Sequence, residues 1–268
     1  MPTETVNGAE LYYEETGEGQ PVVFLHGVMM GSRFFIEQQA GLPDRIRPIV
    51  LDFRGHGRSE TTETGHTLPT YAADVEAFLA AQGLEDVVLV GWSMGALVGW
   101  EFVEQFGTDR LRGFVVVDQH PADLERDDYD HGAFDFQQLV GLLELTQRDP
   151  HQVDELFLEE MFAGDPDASI ERLVRDEMSR VPASVKSTIL FDQSVRDYRD
   201  VLSTVDVPTL VCLGADETLL ETRGVEYVAE ETPEATLERF EESGHCPFLE
   251  QPAQFNAALA DFVSSISS

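Results

Sequence analysis

In the first half of the chain, hydrophobic residues fall in short and nearly unbroken runs, at residues 21–25, 48–53, 87–90 and 114–117. Runs that stay apolar instead of alternating belong to strands covered on both faces. Segments with helical period separate them. Residues 67–81 place Tyr71, Val75, Phe78 and Leu79 on one face, with Thr67 as N-cap, Pro69 in the first turn and Gly83 as the stop. Residues 94–106 are apolar nearly all round and end at Gly107, which predicts a buried helix. Ahead of all these, Asn7-Gly8 sits between two β-prone runs and predicts a two-residue hairpin. Strands alternating with helices imply an α/β protein, its sheet mostly parallel with right-handed crossovers.

The alternation breaks over residues 121–205, where the pattern is helical throughout. One segment places Phe136, Leu139, Val140 and Leu143 on a common face, and another starts near Asp167 and carries Ile170, Leu173, Val174 and Met178. Strand-like runs resume at 209–213 and 235–240, and residues 252–263 close the chain with a helix. The expected organisation is a core domain of residues 1–120 and 206–268 with a helical cap, or lid, inserted at 121–205.

The candidate chemistry begins at Gly91-Trp92-Ser93-Met94-Gly95, where a strand pattern runs into G-x-S-x-G and directly into a helix. Glycines are needed on both sides because the turn is too sharp for neighbouring side chains, and Ser93 is thereby held as a nucleophile at a helix N-terminus. A serine hydroxyl needs an adjacent base. His245, in the loop after the last strand, is the best placed of seven histidines. His26 and His56 read as structural, and His66, His131 and His151 as exposed. A carboxylate must orient the imidazole. Asp216, just past the run 209–213, completes the chain order Ser, Asp, His, with Asp118 as its principal competitor. The backbone N–H groups of Val28 and Met94 are the expected oxyanion donors. Met29 and Trp92, with Met30 and Phe34, are candidates for an apolar substrate pocket, and His120 for a polar group facing it.

Taken together, Leu25-His26-Gly27 with Ser32, residues 52–59 reading Asp-Phe-Arg-Gly-His-Gly-Arg-Ser, the elbow at Ser93, and Ser243-Gly244-His245 with Glu250-Gln251-Pro252 resemble the α/β-hydrolase family over nearly the whole chain. The nearest resemblance is to the small cytoplasmic carboxylesterases and the cofactor-free haloperoxidase-like (perhydrolase) group. It implies an α/β-hydrolase fold and a carboxylic ester hydrolase working through an acyl-enzyme on Ser93. Ser93 stands where haloalkane dehalogenases and epoxide hydrolases carry aspartate. Where the family often has a proline after its acid, this chain continues Glu217-Thr218-Leu219-Leu220. The same machinery also fits perhydrolase activity, cleavage of a lactone, thioester or carbon–carbon bond, or a low-turnover ligand-binding receptor. No metal or organic cofactor is expected.

At 268 residues one core suffices, and Cys212 and Cys246 are not needed as a disulfide framework. Residues 1–19 carry no basic residue and no apolar run, and no stretch approaches the roughly 18 apolar residues of a membrane span, so a soluble, cytoplasmic protein acting on a small molecule is expected. Charge adds a separate point. Against 51 Asp and Glu stand only 17 Lys and Arg, a net −34 spread along the whole chain, and Lys186 is the only lysine. A polyanionic partner such as nucleic acid would be repelled. Repulsion of this size is tolerable where the Debye length falls to about 3 Å, near 1 M salt. The composition therefore predicts that far-UV circular dichroism and the thermal unfolding midpoint are maintained in molar salt and lost on dialysis to low salt. Full stability at low salt would refute the adaptation.

Overall fold

The computed structural model describes residues 2–266. A hairpin of β1 (Thr3–Val6) and β2 (Ala9–Glu15) opens the chain, and its turn residues Asn7 and Gly8 both have positive φ, 47° and 74°, as a type I′ turn requires. The remaining strands are β3 (Gln20–Leu25), β4 (Ile46–Leu51), β5 (Val87–Trp92), β6 (Leu111–Val117), β7 (Thr209–Gly214) and β8 (Ala235–Phe240). They form one sheet in the order β1-β2-β4-β3-β5-β6-β7-β8, in which β3 to β8 are parallel and β2 pairs antiparallel with β4. Every residue of β5 is buried, as an unbroken apolar run in a central strand should be.

A 3₁₀ turn (Ser32–Phe35) and α1 (Ile36–Gly41) follow β3, and α2 (Leu68–Ala81) and α3 (Met94–Phe106) connect the next strands. In α3 residues 94–103 are all buried and Gly107 stops the helix at φ 72°. Thr67 occupies the N-cap position of α2, but its hydroxyl meets that of Thr70 at 3.0 Å, and the Leu68 N–H donates instead to Asp192 at 2.8 Å.

Between β6 and β7 lie α4 (Phe136–Arg148), α5 (Pro150–Glu160), α6 (Ala168–Arg180), α7 (Ala183–Ser194) and the short α8 (Arg199–Leu202). Asp167 caps α6 through the N–H groups of Ser169 and Ile170, and Val174 and Met178 are buried. The apolar face expected for α4 is rotated. Leu139 is buried, but Phe136 and Val140 are 59% and 37% exposed, because α4 packs on α5 and α7 through the side that carries Leu139, Leu142 and Thr146. Lys186, in α7, is buried in an ion pair with Asp154 of α5, so the chain's only lysine is internal. The chain ends with α9 (Thr222–Glu231) between β7 and β8, then α10 (Pro247–Glu250) and α11 (Pro252–Ser265). Among the described residues no helix is long and apolar enough to cross a membrane.

Parallel β5 enters α3 through a turn with no spare room. A Cβ on Gly91 would lie 2.5 Å from the Gly95 carbonyl oxygen, and one on Gly95 would lie 2.1 Å from that of Leu25, both backbone atoms that cannot rotate away. Gly141, on the exposed side of α4, has nothing within 4 Å of such a Cβ. Gly91→Ala is therefore expected to lower the unfolding free energy by about 2 kcal/mol or more, and Gly141→Ala to raise it by roughly 0.5–1 kcal/mol, as measured by denaturant titration of both variants.

Candidate active site

The C-terminal ends of β3, β5, β6, β7 and β8 converge on one region, and each contributes a loop to it. Ser93 follows β5 directly with φ 51° and ψ −125°, a strained conformation for a residue with a side chain, and sits at the N-terminus of α3. His26, after β3, shapes the adjoining loop. Its Nδ1–H donates to the Gly27 carbonyl at 2.7 Å and its Nε2 accepts from the Phe53 N–H at 3.1 Å, and burial holds its pKa down to about 4, so the ring stays neutral. His56 likewise meets the Arg54 carbonyl at 3.1 Å. The Asp52 carboxylate accepts the N–H groups of Ser32 and Arg58 at 2.5 and 2.8 Å, tying the loop after β4 to the one after β3.

His245 is fixed from several sides. Its backbone N–H donates to Met161 at 3.0 Å, and its carbonyl accepts from the Trp92 indole at 2.8 Å. The Glu250 carboxylate collects Ser243 Oγ and the Gly244 and Cys246 N–H groups from the same loop. The other oxygen of Glu250 accepts the Ala163 N–H, so this one side chain ties the histidine loop to the segment after α5. His245 Nδ1 faces two carboxylates, Asp118 Oδ2 at 2.9 Å and Glu217 Oε2 at 3.0 Å. Its Nε2 is buried and has no hydrogen-bond partner among the described residues, in a small cavity whose walls include Ser93, Gly27 and Val28.

Asp216 is not one of these carboxylates. The strand β7 ends at Gly214, and residues 215–216 form a turn in which the Ala215 N–H is bonded to Phe240 and the Asp216 N–H to Ser243. In this turn Asp216 is exposed, and Glu217 brings its carboxylate inward to His245. Which acid of the Asp-Glu doublet faces inward is set by the course of this turn, which leaves no residue pattern to read. Asp118, the competitor by sequence, does reach His245. Val28 and Ser93 also line a larger cavity of about 190 Å³ that extends under α4, α5 and α7. Met30 and Trp92 line the small cavity, and Phe34 stacks on Trp92 with centroids 5.3 Å apart. Met29 is fully buried away from both cavities, as is His120, whose ring nitrogens make no hydrogen bond among the described residues and whose Nδ1 lies 3.9 Å from Asp123 Oδ1. Met94 is buried as the first residue of α3. His66, expected on the surface, is buried against Thr62 and Tyr71.

A model of the Alpha/beta hydrolase family matches residues 22–258. The chain belongs to that family. Two relatives span almost all of it: the AB hydrolase superfamily protein YisY of Bacillus subtilis (strain 168) is 27% identical over 266 residues, covering 98% of each chain, and a non-heme haloperoxidase of Rhodococcus erythropolis is 29% identical over 276 residues, covering 99% of this chain and 100% of that one. Among solved structures, the esterase EaEST from Exiguobacterium antarcticum superposes with a TM-score of 0.92 at 28% identity, covering 99% of this chain and 98% of its own.

The electrostatics of this hydrolase's three-group cluster follow from its burial. Two carboxylates and an imidazole share a buried space, so charge on one acid opposes charge on the other. Burial raises the Asp118 pKa well above the usual carboxylate range, and the neighbouring Glu217 charge raises it further. Burial also works against Glu217, but the imidazolium of His245 and bonds from Asp118, His245 and the Leu219 N–H hold its pKa down to about 2. For His245 burial disfavours the cation, yet Glu217 and Asp118 outweigh it and raise the pKa to about 10. The directions are thus opposite for the two acids, up for Asp118 and down for Glu217, and the pair of carboxylates favours the protonated imidazole of His245. By ¹³C-histidine NMR, His245 is expected to titrate well above the ordinary 6.5, and Glu217→Gln to move that titration down by roughly one unit or more. A wild-type midpoint near 6.5 would overturn this charge assignment.

Proposed function

We propose that this protein is a serine hydrolase that cleaves a carboxylic ester through an acyl-enzyme on Ser93. The observation that carries this reading is the combination at one small cavity of a strained serine and a histidine whose Nδ1 is held by carboxylates while its Nε2 has no partner. In the proposed cycle the unprotonated Nε2 of His245 removes the Ser93 proton as Oγ attacks the ester carbonyl. The N–H groups of Val28 and Met94 receive the oxyanion. His245 then returns the proton to the departing alcohol, and water repeats the steps to release the acid. Glu217, the charged member of the pair, stabilises the imidazolium, and Asp118 holds its carboxyl between Gly214 N–H and the histidine. Residues 121–205 act as the lid that selects the substrate.

Similarity to the Rhodococcus haloperoxidase favours a second use of the same acyl-enzyme, transfer to hydrogen peroxide to give a peracid. The chain's acidity further supports a salt-rich setting.

Labelling by a fluorophosphonate probe in high salt, alongside hydrolysis of short-chain nitrophenyl esters, tests the proposal. Wild type is expected to label and turn over with kcat/KM rising toward alkaline pH as His245 loses its proton. Ser93→Ala and His245→Ala should fall by about 10³-fold or more. A folded wild type that neither labels nor turns over would sink the reading, and peracid formed from ester and peroxide would establish the second use.

A further inference from the structure

The larger cavity is apolar along much of its wall, with Leu142, Leu156, Phe157 and Leu190 among its residues, but one part of it is polar in a particular way. Asp123 is 96% buried there, since its exposure is 4%. Its Oδ1 accepts the Gln119 side-chain amide at 2.9 Å, and its Oδ2 accepts that of Gln193, from α7, at 2.9 Å. Because Gln193 must turn its nitrogen toward the carboxylate, its oxygen is fixed on the other side, and that Oε1 is buried without a partner among the described residues. Gln193 is itself only 7% exposed. Gln119 spends both its amide hydrogens, on Asp123 and on the His120 carbonyl.

The polar groups at this part of the cavity are therefore mainly acceptors: carboxylate oxygens with remaining lone pairs and the buried Gln193 Oε1, without a hydrogen-bond partner among the described residues, with the His120 imidazole behind them, its Nδ1 3.9 Å from Asp123 Oδ1. Glu160 adds a second acid to the lining, and no lysine, arginine or histidine belongs to it. An unpaired acceptor removed from water is costly, and the group that resolves it is a donor without acceptor needs of its own. We infer that the cavity takes the remote end of the substrate and that this end carries a primary ammonium group, received by the Asp123 carboxylate and Gln193 Oε1. The inference rests on the serine-hydrolase reading above and names its substrate class: an ester whose acyl or alcohol part ends in an amine. A neutral alkyl end leaves the acceptors unsatisfied, and a carboxylate end meets Asp123 with like charge in a desolvated space.

The test uses two ester series in high salt, one varied at the far end of the acyl chain and one at the far end of the alcohol, over several chain lengths. Each compares amino, hydroxyl, methyl and carboxylate termini at a pH where the amine is protonated. In at least one series the wild-type enzyme is expected to prefer the amino ester over its methyl counterpart by about tenfold or more in kcat/KM, mostly through KM, with hydroxyl between them and carboxylate last. An alkylammonium ion of matching length should inhibit methyl-ester hydrolysis competitively, and the corresponding alkanoate should not. Asp123→Asn should reduce the amino-to-methyl ratio toward one. Equal rates for amino and methyl esters in both series, or a preference for the carboxylate, overturn the inference while leaving the hydrolase reading intact. Failure to hydrolyse the methyl esters at all strikes that underlying reading instead.

Discussion

Everything at this site depends on keeping two carboxylates and an imidazole together out of water. Asp118, Glu217 and His245 come from the ends of three adjacent parallel strands, β6, β7 and β8, so their meeting is a consequence of sheet register and not of any local motif. Two buried negative charges in contact would be untenable. The two acids are placed unequally: burial and the Glu217 charge push the Asp118 pKa up and its second oxygen accepts the Gly214 N–H at 3.2 Å, while Glu217 offers its second oxygen to the N–H groups of Leu219 and Leu220. Backbone donors favour the ionised acid, and that asymmetry decides which of the two carries the charge.

The cluster in turn constrains the helices above the sheet. His245 N–H is bonded to Met161, Glu250 holds Ala163, and Thr218 Oγ1 donates to the Glu160 carbonyl, so the end of α5 is attached to both loops that supply the histidine and Glu217. On the opposite side, Asp192 of α7 accepts the first N–H of α2. The helices between β6 and β7 are thus joined to the sheet layer by charge-assisted hydrogen bonds at two separate places, with the larger cavity between α4, α5 and α7 and the strained serine.

The sheet and the elbow were legible in the sequence because both are local patterns. Unbroken apolar runs marked the strands, and two glycines around Ser93 answered contacts as short as 2.1 Å with a neighbouring backbone. The acids were less legible. In a chain with this many Asp and Glu, the residue that turns inward after β7 is set by the turn that follows Gly214, and a one-residue difference moves the inference from Glu217 to the exposed Asp216. Asp118 reaches the histidine through a backbone at φ 49°, a feature without a residue signature. The rotation of α4 has a similar origin. Phe136 and Val140 satisfy a helical period, but which stripe is covered depends on the placement of α5 and α7.

Surface and cavity use the same residue types for different ends. Across the exposed surface, a charge of −34 creates a long-range field at low ionic strength that would draw cations toward the whole molecule. At molar salt, screening would shorten that field to about 3 Å, so it could not sort one substrate from another. Discrimination by charge then survives only where salt and water are excluded and partners touch. Asp123 meets that condition, buried to 96% and oriented by two amides, whereas the exposed acids around it do not. An acidic protein adapted to salt would thus have to place its selective carboxylate inside a cavity, under the same helices that carry its only lysine into a buried ion pair.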